Sequence, residues 1–217
     1  MRTSSRLVVT AALCALLATT ATACGRSEPA AQTATTTEAT ASTTSGPTTA
    51  PTTTQPTLTG QTLPDGQCAP SSGGDPQGGW FLTALRQARN GTDDRVVWEF
   101  RPQPGRAVGA APAYTVESAA PPFREDPSDL VLDVPGTTGL RIRFANATGV
   151  DLTRDEPERT YSGERRVVTG REPLTAVVDG GDFEGQSIWL LGLSRQVCPT
   201  VSTLSDPVRV VVDIPAG

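Results

Sequence analysis

From Cys68 onward, apolar and polar positions alternate in short runs punctuated by Pro and Gly, the period of half-buried β-strands. Arg95-Val-Val-Trp-Glu-Phe100 places Val96, Trp98 and Phe100 on one face and Arg95 and Glu99 on the other. Leu140-Arg-Ile-Arg-Phe144 is the cleanest case, with Leu140, Ile142 and Phe144 inward and two arginines outward. Tyr114–Glu117, Leu130–Val134, Leu174–Val178 and Val208–Ile214 read the same way. Ser187-Ile-Trp-Leu-Leu-Gly-Leu193 is apolar on both faces, as a central strand covered on both sides would be. The run from Phe81 to Arg89 also fits one helix face through Phe81, Leu82, Leu85 and Ala88; we read it as a strand. About eight or nine such strands in ~150 residues predict an all-β, two-layer β-sandwich with a single core. Two of them, Arg95-Val-Val-Trp-Glu-Phe and Arg209-Val-Val-Val-Asp-Ile, share the form R-V-V-x-acid-apolar, which marks either equivalent strands in two sheets or chance in a Val-rich chain.

The N-terminal pattern is different. Arg2 and Arg6 precede an apolar run from Leu7 to Ala23 that is diluted by threonine in its second half. At roughly 17 residues, it sits at the lower limit for crossing a hydrocarbon core of ~30 Å, so a cleaved signal fits better than a permanent span. It ends in Ala21-Thr22-Ala23-Cys24-Gly25, which resembles a bacterial lipobox, with Ala21 where a large aliphatic is usual. The same letters also suit an ordinary A-x-A cleavage site. The first reading predicts a signal peptide over 1–23 and a lipidated Cys24, whose two acyl chains suffice for stable anchoring at ~0.8 kcal/mol per buried methylene.

Residues 24–66 are mostly Thr, Ala, Pro, Ser and Gln, too poor in apolar surface to offset ordering entropy, and read as a disordered tether. A flexible coil of ~42 residues reaches ~35 Å on average and roughly 140 Å when extended. Its Thr-Pro bias suits O-mannosylation and a bare linker equally. The folded domain is expected over 67–217.

Composition narrows the chemistry. The chain has no His, which excludes Ser-His-Asp and Cys-His nucleophile systems and imidazole metal sites. Every basic residue is Arg. Removing the signal takes away Arg2 and Arg6, leaving 16 Arg against 23 acids, or −7, which disfavours nucleic acid and anionic polymers as partners through bulk charge. Of the four cysteines, Cys14 lies in the signal and Cys24 takes lipid; Cys68 and Cys198 remain, and pairing is the default for an exported chain.

Asp94-Arg-Val-Val-Trp-Glu-Phe100, Pro104-Gly105, Tyr114-Thr-Val-Glu117, Gly181-Asp-Phe-Glu-Gly185 ahead of Ile188-Trp-Leu-Leu-Gly-Leu193, and Thr203-Leu-Ser-Asp-Pro-Val-Arg-Val-Val-Val-Asp213 together resemble the AMIN-like domain of actinobacterial secreted proteins and lipoproteins. The resemblance spans roughly 78 to 215, and S-D-P-x-R followed by three apolar residues and Asp is its most specific part. It implies a β-sandwich of the AMIN kind, modules that position periplasmic enzymes and secretion components and in some cases bind peptidoglycan. Two departures stand out: Asn90-Gly91 replaces a His common before the D-R-V-V strand, and the segment from Arg124 to Asp133 is unusually acidic.

No catalytic constellation emerges, and no cofactor or metal is expected. Asp179-Gly-Gly-Asp-Phe-Glu-Gly185 has carboxylates and glycines able to wrap calcium, but a glycine-rich turn explains the same letters. Asp126 with Asp129, and Asp155 with Glu156, have the form of acid/base pairs, yet with 23 acids some pairing is inevitable. Trp98 and Trp189 fall on inward faces. Trp80, after Gly78-Gly79, and Tyr161, before Ser162-Gly163, are the aromatics left for stacking on a sugar ring. The expected function is that of a non-enzymatic lipoprotein at the outer face of the membrane, whose domain binds peptidoglycan or an envelope protein. The alternatives are a structural or sensory lipoprotein without a fixed ligand and, behind it, a carboxylate-based hydrolase.

Overall fold

The structure is a computed structural model that describes residues 58–217 apart from 107, 108 and 110; the signal, Cys24 and most of the tether lie outside the described residues. The described residues form fourteen strands: β1 Leu58–Thr59, β2 Ser71–Gly73, β3 Trp80–Asn90, β4 Asp93–Pro102, β5 Tyr114–Ala119, β6 Thr138–Ala145, β7 Ala147–Thr148, β8 Val150–Asp151, β9 Glu158–Arg159, β10 Arg166–Val168, β11 Leu174–Phe183, β12 Gln186–Leu193, β13 Thr200–Ser205 and β14 Val208–Pro215. One six-stranded sheet runs β1-β13-β14-β4-β3-β7, a second runs β10-β11-β12-β6-β5-β2, and β8-β9 form a separate ribbon. Every pairing is antiparallel except β3 with β7.

The two inner faces meet as the alternation requires. Val96, Trp98 and Phe100 of β4 and Leu140, Ile142 and Phe144 of β6 join Trp189, Leu191 and Leu193 of β12 in one buried cluster. Trp98 lies near its centre, 5.4 Å from the Phe144 ring and 6.2 Å from Trp189. The second apolar face of β12 has its own cover: Leu190 packs with Ala176 and Val178 of β11 against Phe123 and Val134. Those last two belong to the segment between β5 and β6, which folds over the outer face of the second sheet. The ambiguous run at Phe81 is part of the long strand β3.

Three expectations are corrected. Leu130–Val134 is not a strand; Leu130 and Val131 are more than 60 % exposed, while Val134 is buried and Leu132 packs half-buried beside it. Flanking prolines 121, 122, 127 and 135 deny the segment a full ladder, and it serves as a lid on a sheet face instead. The two R-V-V strands are not equivalents in separate sheets: β4 and β14 pair directly, with Arg95 opposite Asp213 and Arg209 opposite Glu99. Antiparallel pairing of two copies of R-V-V-x-acid sets each arginine across from the other copy's acid. Of the two pairs, Arg95–Asp213 closes, with bonds of 2.6 and 2.8 Å. The third correction concerns the tether, assigned through residue 66. Leu58–Thr59 pairs with Val201 and Thr200 of β13, and Thr62 bridges to Cys68. Composition carries no information about a sheet edge supplied by residues 140 positions away.

Cys68 and Cys198 are bridged, with Cα atoms 5.2 Å apart and a sequence separation of 130 positions. The bridge ties the segment ahead of β2, at the edge of the second sheet, to the segment that enters β13 in the first.

Candidate functional site

The β11–β12 hairpin forms one wall of a cleft in the surface. Its strands close at Phe183–Gln186 through Glu184-Gly185, both at positive φ (50° and 73°), the conformation of a two-residue type I′ turn. A bulge between Asp179 and Gly181 breaks the register. Gly181 has φ 129°, and a Cβ there would come within 2.0 Å of the Asp126 carbonyl oxygen, so only glycine lets the lid segment approach this closely. Asp126 N–H donates to the Gly180 carbonyl, which docks the acidic end of the lid beside the hairpin.

On the other side stands the β8–β9 ribbon. The Asp182 carboxylate holds its root, accepting from Gly149 N–H at 2.6 Å and from the Thr148 hydroxyl at 3.1 Å through the same oxygen, Oδ2. Beyond the ribbon, Tyr161 packs its ring edge-on against Trp189, with centroids 5.7 Å apart, and its hydroxyl donates to the Glu164 carbonyl at 2.7 Å. Burial raises the Tyr161 phenol, with Asp179 and Glu164 adding to the shift. Arg165 then crosses to Asp179 at 2.7 Å and approaches Glu125 of the lid at 3.8 Å. Its guanidinium pKa is raised, first by the Asp179 hydrogen bond.

Hairpin, ribbon and lid enclose a cleft of about 670 Å³, floored by Leu82, Tyr161 and Trp189 and edged by charge. A second, more apolar hollow of about 580 Å³ lies against Phe81, Val150 and Leu152, and a third of about 220 Å³ against Asp126 and Arg143. Phe183 borders all three and is 52 % exposed. Every other Trp, Tyr and Phe in the chain is at most 9 % exposed.

The family model of the AMIN-like domain matches residues 81–216, a span that contains every residue lining the cleft. The chain belongs to the AMIN-like domain family. No curated protein matches the chain, and no solved structure does. An AMIN-like domain implies an extracytoplasmic context and a peptidoglycan-related binding module.

Within this AMIN-like domain, the two aromatics expected to stack on sugar have different fates. Trp80 opens β3 and is fully buried in the main core, so its ring has no free face. Gly78-Gly79 read as a loop, but the strand pairs through Trp80 with Pro102 and with Ala147 of β7, which draws the indole inward. Tyr161 is 9 % exposed and acts as cleft wall. Trp98 and Trp189 are core, as their positions predict.

The hairpin carboxylates do not converge on one point. Asp179 serves Arg165 and the Gly181 N–H, Asp182 serves Gly149 and Thr148, and among the described residues no group of three or more acids is arranged to hold a metal. Asp126 and Asp129 are taken up by Arg143 and Arg124. Sequence reasoning missed Phe183, Arg159 and Arg165, and marked Asp182 only as one of the hairpin carboxylates. For Phe183 a signal existed: an aromatic directly before Glu184-Gly185 sits at a hairpin tip, where core packing cannot take it up. The two arginines carried none.

Proposed function

We propose that this chain is a non-catalytic, membrane-anchored binding module of the cell envelope. Lipid on Cys24 holds it to the outer face of the membrane, the Thr/Pro-rich tether gives it reach, and the AMIN-like domain engages cell-wall material around Phe183. The observation that supports the site is that Phe183 is the exposed aromatic of the chain and borders three hollows at once. An aromatic face beside hydrogen-bonding groups suits weak recognition of a sugar–peptide polymer. The family match and the disulfide support an extracytoplasmic role.

Sedimentation with purified cell walls tests this. The purified chain is retained, Phe183→Ala lowers retention several-fold and leaves the melting temperature within about 2 °C of wild type, and Trp80→Ala instead destabilises the fold by about 3–5 kcal/mol as a core truncation. A chain that walls do not retain would replace the wall with an envelope protein as partner, for which exposed Leu152 and Phe183 offer an apolar patch.

A further inference from the structure

The cleft is lined by six charged side chains: Glu125, Asp126, Arg159, Arg165, Asp179 and Asp182. Four of them are neutralised within the protein. Arg165 pairs with Asp179 and Glu125, and Asp126 pairs with Arg143. Among the described residues, neither Asp182 nor Arg159 forms an ion pair. Asp182 belongs to the hairpin and Arg159 to the ribbon, so the cleft carries one uncommitted anion and one uncommitted cation on different elements. The Asp182 carboxylate uses Oδ2 for both of its hydrogen bonds, which leaves Oδ1 without a protein donor. Both residues are solvent-exposed, so a ligand reaches them without rearrangement of the fold.

Stacking is correspondingly weak here. With Trp80 in the core and Tyr161 nearly so, a glycan would have one phenylalanine face and no second ring to sandwich it. We infer that the cleft recognises a zwitterionic peptide, whose ammonium group is held by Asp182, whose carboxylate is held by Arg159, and whose aliphatic portion lies against Phe183 and Val150. This rests on the wall-binding reading and assigns recognition to the peptide component of the wall rather than to its glycan. Two charge-assisted contacts across a partly desolvated cleft discriminate sharply, because a ligand lacking either charge leaves its partner unpaired. Recognition of this kind weakens as salt rises, whereas stacking on neutral sugar does not.

Amidase digestion of purified walls separates glycan strands from soluble peptides and supplies the probes. With the full purified chain, we expect the released peptides to compete for retention on intact walls, and the same peptides N-acetylated to compete at least tenfold more weakly. Stripped glycan strands should retain little protein. Asp182→Asn and Arg159→Gln should each weaken peptide competition about tenfold in a chain that melts well above the assay temperature, and Asp182→Asn should abolish the difference between free and acetylated peptide. Retention by stripped glycan equal to that by intact wall, with no competition by peptide, overturns the peptide assignment and leaves wall binding standing. Peptide binding without retention on walls does the reverse. Failure of both peptide and wall to bind overturns both.

Discussion

Asp182 shows how one residue serves structure and recognition together. Its Oδ2 fixes the root of the β8–β9 ribbon while the other oxygen accepts no hydrogen bond from the described residues. Asp182 is open to solvent on one side, and partial desolvation against the cleft wall raises its pKa above the ordinary carboxylate value of 3.8; hydrogen bonds from Gly149 and Thr148 oppose this, nearby Asp179 adds to it, and Arg165 works against it. A carboxyl whose folded-state pKa is raised binds more protons folded than unfolded, so this group's contribution to stability falls as pH rises from about 3.8 through its folded-state value. Asparagine has no such titration, and its amide oxygen keeps the Gly149 hydrogen bond. The melting temperature of Asp182→Asn relative to wild type should therefore be more favourable at about pH 7 than at about pH 3.5. Parallel melting curves at the two pH values check this, and a difference that stays constant or reverses means the carboxyl ionises as readily folded as unfolded.

At the scale of elements, burial follows local alternation wherever a strand has one inner and one outer face. Strand β4 keeps a strict alternation of buried and half-buried positions, and β6 keeps nearly the same period. Departures come where an element is covered by something distant in sequence. Strand β12 is buried from Ser187 to Leu193 because the lid between β5 and β6 supplies Phe123 and Val134 to its outer face. The lid itself alternates like a strand and is not one, since it packs on a face and not along an edge. Elsewhere in the fold, at the entry to β13, Cys198 meets Cys68. Closing a loop of 130 residues removes more unfolded-chain entropy than any local contact in the domain. Cys198→Ser should lower unfolding free energy by about 3–5 kcal/mol, read from urea denaturation of the unreduced protein. A loss below about 1 kcal/mol would mean that the two sheets hold that end of the domain unaided.

Over the whole chain, an AMIN-like domain with a charged cleft follows a long polar sequence segment and a signal-like N-terminal sequence. Among the described residues the first strand is Leu58–Thr59, inside the segment that composition assigned to the tether, and it pairs with β13. Cys24→Ser retains the signal and removes the lipid site, so the protein should move from the membrane fraction to the medium on fractionation. Continued membrane retention would assign the anchor to the apolar segment itself.

The sequence alone determined the class of fold, the inward faces of the principal strands, the disulfide and the family, because each depends on periodicity, residue chemistry or a motif read locally. It also read Asp179–Gly185 as a glycine-rich turn between two strands, which is the β11–β12 hairpin. Tertiary structure decided which sheet each strand joined, that the two R-V-V strands face one another, and that Trp80 is core while Phe183 is surface. It alone placed Arg159, Arg165 and Asp182 around one cleft, from elements separated by up to 23 positions in the chain. Which charges are neutralised and which remain open depends on distances between such elements. Periodicity in a single strand holds no record of those distances.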